Sequence, residues 1–281
     1  MIIMNGRDLK KEKLEKLKEK ITQLNKKLGL AVIQVGNDEA SNVYVNQKAK
    51  MAAELGYNFI HETCDENISQ DELLNIIDKL NADDSIDGIL VQMPLPKQLD
   101  SNVIQNAISP LKDVDGLTYI NSGKLVQNQD GLVPCTPKGI IDMLDHYEIN
   151  LDGANVVVIG RSSLVGKPVA SLLTNRNATV VLCHSKTDDI KKYTLLADII
   201  IVAVGKKNFL TEDMVREGSV VIDVGINREN GKLYGDVDYE NVKDKCSYIT
   251  PVPGGVGQMT VAELGENVYK AHTLRKKLER K

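Results

Sequence analysis

The chain has 281 residues, of which 42% are hydrophobic and 26% charged, with a formal net charge of -4. That length allows one large domain or two ordinary ones, with enough apolar content to fill a core. The mildly acidic balance excludes a broad basic field, so neither nucleic acid nor an anionic membrane is an expected partner.

The run Lys10-Lys11-Glu12-Lys13 is interleaved with Leu9, Leu14, Leu17 and Ile21 at helical spacing. This predicts a helix with one buried stripe and a solvated basic face. Strand-like runs then alternate with amphipathic stretches. A strand is expected over Leu30 to Val35, a helix through Tyr44 and Lys48 to Leu55-Gly56, and a strand from Tyr57 to Glu62. A helix from Ser69 to Leu80 and a strand from Ile86 to Gln92 follow. This is βαβ order, which implies a mainly parallel sheet. Ser69 and Glu72 have capping-box spacing, Gly56 is placed as a helix stop, and Pro94 and Pro96 end the third strand. Gln92 therefore falls at the carboxyl end of a strand.

Tyr44 and Lys48 stand four residues apart, so a ring and an amine share one helix face. A flat ligand could lie on Tyr44 while Lys48 reaches its reacting atom. An amine partly buried there would have its pKa lowered. Gln92, and Asp115 in Lys112-Asp113-Val114-Asp115-Gly116, leave the sheet in loops that could converge on the same ligand.

Between Pro110 and Pro137 the periodicity dissolves into Gly, Asn, Asp and Pro, predicting a hinge. Thr136 is expected to cap the next helix, with Pro137 at its first position. A second alternating series places strands at Asn155 to Ile159, Ala178 to Cys183, Ile199 to Val204 and Val220 to Val224. Thr260 to Leu278 reads as one final helix, long enough to return to the first domain.

Val156-Val157-Val158-Ile159-Gly160-Arg161-Ser162-Ser163-Leu164-Val165-Gly166 is a buried strand, a glycine turn and a helix start, where backbone amides can hold a pyrophosphate. Gly160 and Gly166 fit the dinucleotide fingerprint loosely, because Ser162 replaces its middle glycine and the final spacing is longer. The next strand ends in Cys183-His184-Ser185-Lys186, where a NAD site usually has Asp or Glu for the ribose. With no carboxylate there, and Arg161 able to pair with a 2′-phosphate, the electrostatics favour NADP. Two later loops are Asp223-Val224-Gly225-Ile226-Asn227 and Pro251-Val252-Pro253-Gly254-Gly255-Val256-Gly257. The second can approach a flat ligand closely, because glycines pinned by prolines leave no side chain in the way.

Cys64, Cys135, Cys183 and Cys246 are widely scattered, and the four histidines form no cluster with them. Neither a disulfide framework nor a metal site is expected, and a reducing cytoplasm fits best. No targeting segment is visible, and no apolar run approaches the roughly 18 residues of a spanning helix.

Taken together, Tyr44-x-x-x-Lys48, Val91-Gln92-Met93-Pro94-Leu95, Lys112-Asp113-Val114-Asp115-Gly116, Pro134-Cys135-Thr136-Pro137, Gly160-Arg161-Ser162, Cys183-His184-Ser185-Lys186-Thr187 and Pro253-Gly254-Gly255-Val256-Gly257 form a recognisable series. The chain resembles the bifunctional methylenetetrahydrofolate dehydrogenase/methenyltetrahydrofolate cyclohydrolase (FolD) family from about Asn5 to the last helix. The resemblance implies two α/β domains with a cleft between them, the second a Rossmann-like NADP-binding domain with a parallel sheet. Residues 1–119 would form the folate-binding catalytic domain, completed by a C-terminal helix at 262–281, and 120–261 the NADP-binding domain.

The same resemblance implies tetrahydrofolate derivatives as substrates and a homodimer joined through the nucleotide-binding domains. Tyr44, Lys48, Gln92 and Asp115 would be catalytic and substrate-binding. Gly160, Arg161, Ser162, Gly166, Ser185 and Ile226 would bind NADP, and Pro253, Gly254 and Gly255 the substrate. At this length the formyltetrahydrofolate ligase domain of some family members is not expected. Gln258 departs from the family, which usually has proline there, and this predicts a looser glycine loop. The competing readings are a monofunctional dehydrogenase, another two-domain NADP oxidoreductase, and a non-catalytic NADPH sensor. The last would leave the polar set of the first half without a role.

Overall fold

The computed structural model describes residues 1–279, apart from the side chain at position 40. In chain order come β1 (Ile2–Ile3), α1 (Gly6–Thr22), β2 (Gly29–Val35), α2 (Glu39–Leu55), β3 (Asn58–Cys64), α3 (Gln70–Ala82) and β4 (Gly88–Val91). Then follow α4 (Ser101–Ala107), α5 (Tyr119–Val126), α6 (Cys135–His146), β5 (Asn155–Ile159), α7 (Gly166–Asn175), β6 (Thr179–Cys183), α8 (Lys191–Thr194) and β7 (Ile199–Val202). The last are β8 (Val220–Asp223), β9 (Asn227–Glu229), β10 (Lys232–Tyr234), α9 (Tyr239–Val242), β11 (Tyr248–Ile249) and α10 (Val256–Glu279).

The chain forms two compact α/β units. One comprises Lys13–Cys135 with the residues from Val261 onward, the other Met1–Glu12 with Thr136–Thr260. The expected boundary at 119/120 therefore differs from the division, which falls at 135/136. The physical reason is Asp113, fully buried, which accepts from Thr118 N at 2.8 Å and from Asn121 Nδ2 at 2.9 Å. It ties α5 to the first unit. Residues 1–12 join the other unit because β1 pairs with β11 in parallel. Residues 280 and 281 of the expected terminal helix lie outside the described residues.

The first unit has a parallel sheet ordered β3-β2-β4. Central β2 is buried throughout, and its alternate residues feed opposite faces: Leu30 and Val32 enter one core cluster, Ala31, Ile33 and Val35 another. The capping box at Ser69 and Glu72 is formed, and Gly56 closes α2 in the left-handed region at φ 73°. Lys112 donates to the carbonyls of Leu80, Asn81 and Asp83 at 3.0, 2.8 and 2.7 Å, satisfying the open end of α3. Fully buried Asp87 accepts from Gly29 N at 3.0 Å and from His272 Nδ1 at 2.9 Å, and it also pairs with Arg275. These contacts hold the last turns of α10 within this unit.

The second unit is built on a parallel sheet ordered β1-β11-β8-β7-β5-β6. Val156 and Val158 of β5 face one cluster, Val157 and Ile159 the other. Three expectations change in detail. Helix α6 begins at Cys135, so Thr136 lies in its first turn, and its hydroxyl pairs with that of Thr260 at 2.9 Å. Helix α10 starts at Val256, inside the glycine loop, not at Thr260. The 110–137 stretch contains α5, capped by the Thr118 side chain, whose few residues are too short to show a period.

Candidate functional site

In the first unit, Asp38 caps α2 by accepting from Ser41 N at 2.8 Å. One helical turn later Tyr44 is 41% exposed, and Lys48, a further turn on, is half-buried. Lys48 Nζ donates to Gln92 Oε1 at 2.6 Å. Gln92 follows β4, and its own side-chain amide donates to Met93 O at 2.8 Å, which leaves the oxygen turned to Lys48.

Asp115 reaches the same amine through two close approaches of backbone. A Cβ on Gly88 would meet Val114 Cγ1 at 2.4 Å, so only glycine lets the Asp113–Asp115 segment lie against β4. Gly116, at φ 69°, would place a Cβ 2.6 Å from Pro134 N, and its absence brings the 133–135 segment alongside. Burial lowers the Lys48 pKa from the ordinary lysine range, opposed by the charges of Asp115 and Cys135. Burial raises that of Asp115, with Lys48 pulling it back down and Asp113 adding to the rise. The structure thus gathers Lys48, Gln92 and Asp115, with Tyr44 on the same helix face. The arrangement offers a partly desolvated amine, a fixed amide acceptor and a carboxylate.

In the second unit the strand-turn-helix is present as expected. Gly160 sits at φ 117°, where a Cβ would meet Ala203 O at 2.1 Å; on Gly166 one would meet Gly160 O at 1.9 Å. Both positions require glycine for backbone to close on backbone, leaving a cradle lined by main chain. Ser162, in place of the middle glycine, accepts from Val165 N at 3.1 Å and steadies the start of α7. Arg161, Ser162 and Ser185 are exposed, and Ile226 is 47% exposed. An exposed guanidinium, hydroxyls and the Lys186 amine suit a phosphorylated ribose, so the residues present fit NADP.

The glycine loop belongs to this unit. Gly6 N donates to Gly254 O at 2.9 Å, and Gly254 adopts φ 115°. Pro253 is exposed and Gly255 buried. Gln258 N donates to Gly255 O at 3.0 Å, a bond proline could not make. The loop expected to loosen at Gln258 is thus tied by a backbone hydrogen bond instead.

Four residues that shape these sites carried no assigned role from the sequence. Cys135 is buried beside Lys48 and Asp115. Asp113 pins the loop that carries Asp115. Asn267, fully buried on α10, donates to Val114 O and Val133 O, each at 2.8 Å. Asp236 accepts successive backbone amides after β7. The first two lie inside motifs quoted for their neighbours. The others pair at separations of more than 25 residues, which no local pattern signals.

The family model for the tetrahydrofolate dehydrogenase/cyclohydrolase catalytic domain matches residues 4–115, and that for the NAD(P)-binding domain of the same family matches residues 134–276. The bifunctional protein FolD of Bacillus pumilus is 50% identical over 273 residues, covering 96% of each chain. The crystal structure of the FolD methylenetetrahydrofolate dehydrogenase/cyclohydrolase of Campylobacter jejuni superposes with a TM-score of 0.96 at 48% identity, covering 98% of this chain and 99% of that one. The Trypanosoma brucei methylenetetrahydrofolate dehydrogenase-cyclohydrolase, complexed with NADP and an inhibitor, gives a TM-score of 0.93 at 32% identity, with 98% of each chain covered. Among the described residues no helix is long and apolar enough to cross a membrane. With both of its domain models and near full-length relatives matched, the chain belongs to the tetrahydrofolate dehydrogenase/cyclohydrolase family.

Proposed function

We propose that this chain is a bifunctional one-carbon folate enzyme. It oxidises 5,10-methylenetetrahydrofolate to the 5,10-methenyl form with NADP, then hydrolyses that product to 10-formyltetrahydrofolate. The observation that carries the reading is the desolvated Lys48 amine held on Gln92 beside Asp115.

In the first reaction the carbon bridging the two folate nitrogens loses a hydride, and the nitrogen lone pairs stabilise the cation left behind. NADP supplies the hydride acceptor. No protein base is required, so the chain contributes position and electrostatics. Gly160, Ser162 and Gly166 would hold the pyrophosphate, Arg161 and Ser185 the 2′-phosphate, and Ile226 an apolar face of the cofactor. Pro253, Gly254 and Gly255 would border the substrate.

The second reaction adds water to the cationic carbon, after which a ring nitrogen takes a proton and leaves. Here a group that moves protons is needed. Lys48 takes that role, because burial brings its free amine nearer to neutrality. Gln92 orients the amine, Tyr44 gives the pterin a stacking surface, and Asp115 accepts hydrogen bonds from its amino-pyrimidinone edge.

The family resemblance also supports a homodimer through the nucleotide-binding units. Strand β6 is an open edge with Val180, Val181 and Leu182 only partly buried, which suits such an interface. The four cysteines are all free thiols, which supports a reducing cytoplasm as its location. The deciding experiment is a spectroscopic assay with methylenetetrahydrofolate and either NADP or NAD. It follows reduced nicotinamide and the decay of the methenyl compound separately. Loss of either signal with wild-type protein overturns bifunctionality, and NADP binding without turnover makes the chain a sensor.

A further inference from the structure

We propose that Asp236 is a positioning residue for NADP, one carboxylate that fixes both loops leaving the carboxyl ends of β7 and β8. The inference rests on the reading above, in that these loops serve the cofactor.

Strands β7 and β8 are parallel neighbours, and loops at such carboxyl ends are where open α/β sheets bind ligands. After β7, three successive amides turn toward one anion. Val204 N and Gly205 N donate to Asp236 Oδ2 at 2.7 and 2.9 Å, and Lys206 N donates to Oδ1 at 2.8 Å. Consecutive N–H groups of this kind form an anion-binding nest. Here the nest is filled by the protein's own side chain.

The second loop is tied to the same carboxylate. Asn227 Nδ2 donates to Asp236 Oδ1 at 2.9 Å and to Gly235 O at 3.1 Å. Gly225 must be glycine, since a Cβ there would lie 2.1 Å from Asp236 Cγ. Ile226 is held between these two contacts and still keeps 47% of its surface exposed. The first loop, in turn, is the floor of the dinucleotide turn, because Gly160 packs directly on Ala203 O. Asp236 therefore governs both surfaces that the cofactor would touch, while itself fully buried.

Its own backbone is secured elsewhere. Asp236 N and Val237 N donate to Asp223 at 2.8 and 3.0 Å, so truncating the Asp236 side chain leaves its main chain anchored. The loss then falls on the loops. An isosteric amide does not substitute, because its NH2 would face backbone N–H donors that need an acceptor.

The test titrates NADP calorimetrically into wild type, Asp236→Ala, Asp236→Asn and Asn227→Ala, with kcat and KM for NADP and methenyl hydrolysis measured on the same samples. In Asp236→Ala, and equally in Asp236→Asn, the Kd and KM for NADP should rise about tenfold to a hundredfold, the scale of lost charge-assisted hydrogen bonds. Methenyl hydrolysis without NADP should stay within about twofold, since its residues belong to the other unit. Added sodium formate should refill the nest and recover at least about threefold of NADP affinity in Asp236→Ala alone, which a merely structural acid would not allow. Sodium chloride at equal ionic strength is the control.

Unchanged NADP affinity in Asp236→Ala, an equal fall in hydrolysis, or no recovery with formate would each overturn the proposal. Should Asp236→Ala fail to fold, Asn227→Ala decides: its NADP Kd should rise several-fold with hydrolysis intact, and an unmoved Kd overturns the idea. Failure of wild type to turn over methylenetetrahydrofolate would sink the functional reading instead, with the NADP titration still testing the nest.

Discussion

Lys48 Nζ donates to Gln92 Oε1 at 2.6 Å, and the Gln92 amide nitrogen is itself committed to Met93 O at 2.8 Å. Turning the amide over would break both bonds, so Gln92 presents an oxygen, never an NH2, to the amine. A neutral acceptor fixes where Lys48 points while stabilising the ammonium less than a carboxylate would.

The first consequence concerns the division of labour between the two reactions. Lys48→Met should lower methenyl hydrolysis at least about a hundredfold, the scale of general acid-base catalysis, because it removes the amine that Gln92 holds. Hydride transfer should fall by less than about tenfold, since it depends on positioning. Separate progress curves for the two steps check this, and an equal fall in both would remove Lys48 from its assigned role.

A second test works through the partner. Gln92→Glu would set a carboxylate against Lys48, favour the ammonium and raise the lysine pKa. The free amine would then appear at higher pH, so the acidic limb of the hydrolysis profile should move to higher pH. The dehydrogenase profile should not follow it. A stationary acidic limb would mean that Lys48 is not the group being read.

These positions were legible in the sequence because each stands on an element with a strong local signal. The Tyr44 to Lys48 spacing sits on a helix bounded by Asp38 and Gly56, and Gln92 follows an apolar strand stopped by proline. The supporting residues were not. Asp236 reaches the Val204 amide across 32 residues of chain, and Asn267 reaches the Val114 carbonyl across 153. Such contacts are set by tertiary packing, so periodicity and capping rules say nothing of them. The same cause hid the domain boundary: α5 looks like linker by composition, yet buried Asp113 fastens it to the first unit. The glycines fall between these cases. Gly160 was visible as a turn, but its contact with Ala203 needs the fold.

Cofactor choice gives a third prediction. Arg161 is exposed at the dinucleotide turn, and the turn that follows β6 carries Ser185 and Lys186 where an acid would bind a ribose diol. Arg161→Ala should raise the KM for NADP about tenfold or more, the worth of a bidentate phosphate pair, with less than about threefold effect on NAD. Steady-state kinetics with both cofactors at saturating folate measure it. Equal effects on the two would mean that Arg161 does not read the 2′-phosphate.

The last prediction uses the buried acid pair beneath the β8 loop. Asp223 accepts from Gly225 N at 3.0 Å, Asp236 N at 2.8 Å and Val237 N at 3.0 Å. Burial nonetheless pushes its pKa up to about 6, and the neighbouring Asp236 charge adds to the rise. A carboxyl with a folded pKa above its unfolded one binds a proton more tightly in the native state. Its stabilising contribution is therefore fully present below the unfolded value of 3.8 and is lost as pH rises through about 6. The loss is on the order of 3 kcal/mol. Asp223→Asn cannot titrate, and the hydrogen bonds it disturbs impose a cost that does not vary with pH. Urea unfolding of both proteins between about pH 4 and pH 7 isolates the group: the stability of the variant relative to wild type should climb across that window and level off above it. A constant difference throughout would show that Asp223 stays ionised in the fold and that its three amide donors outweigh its burial.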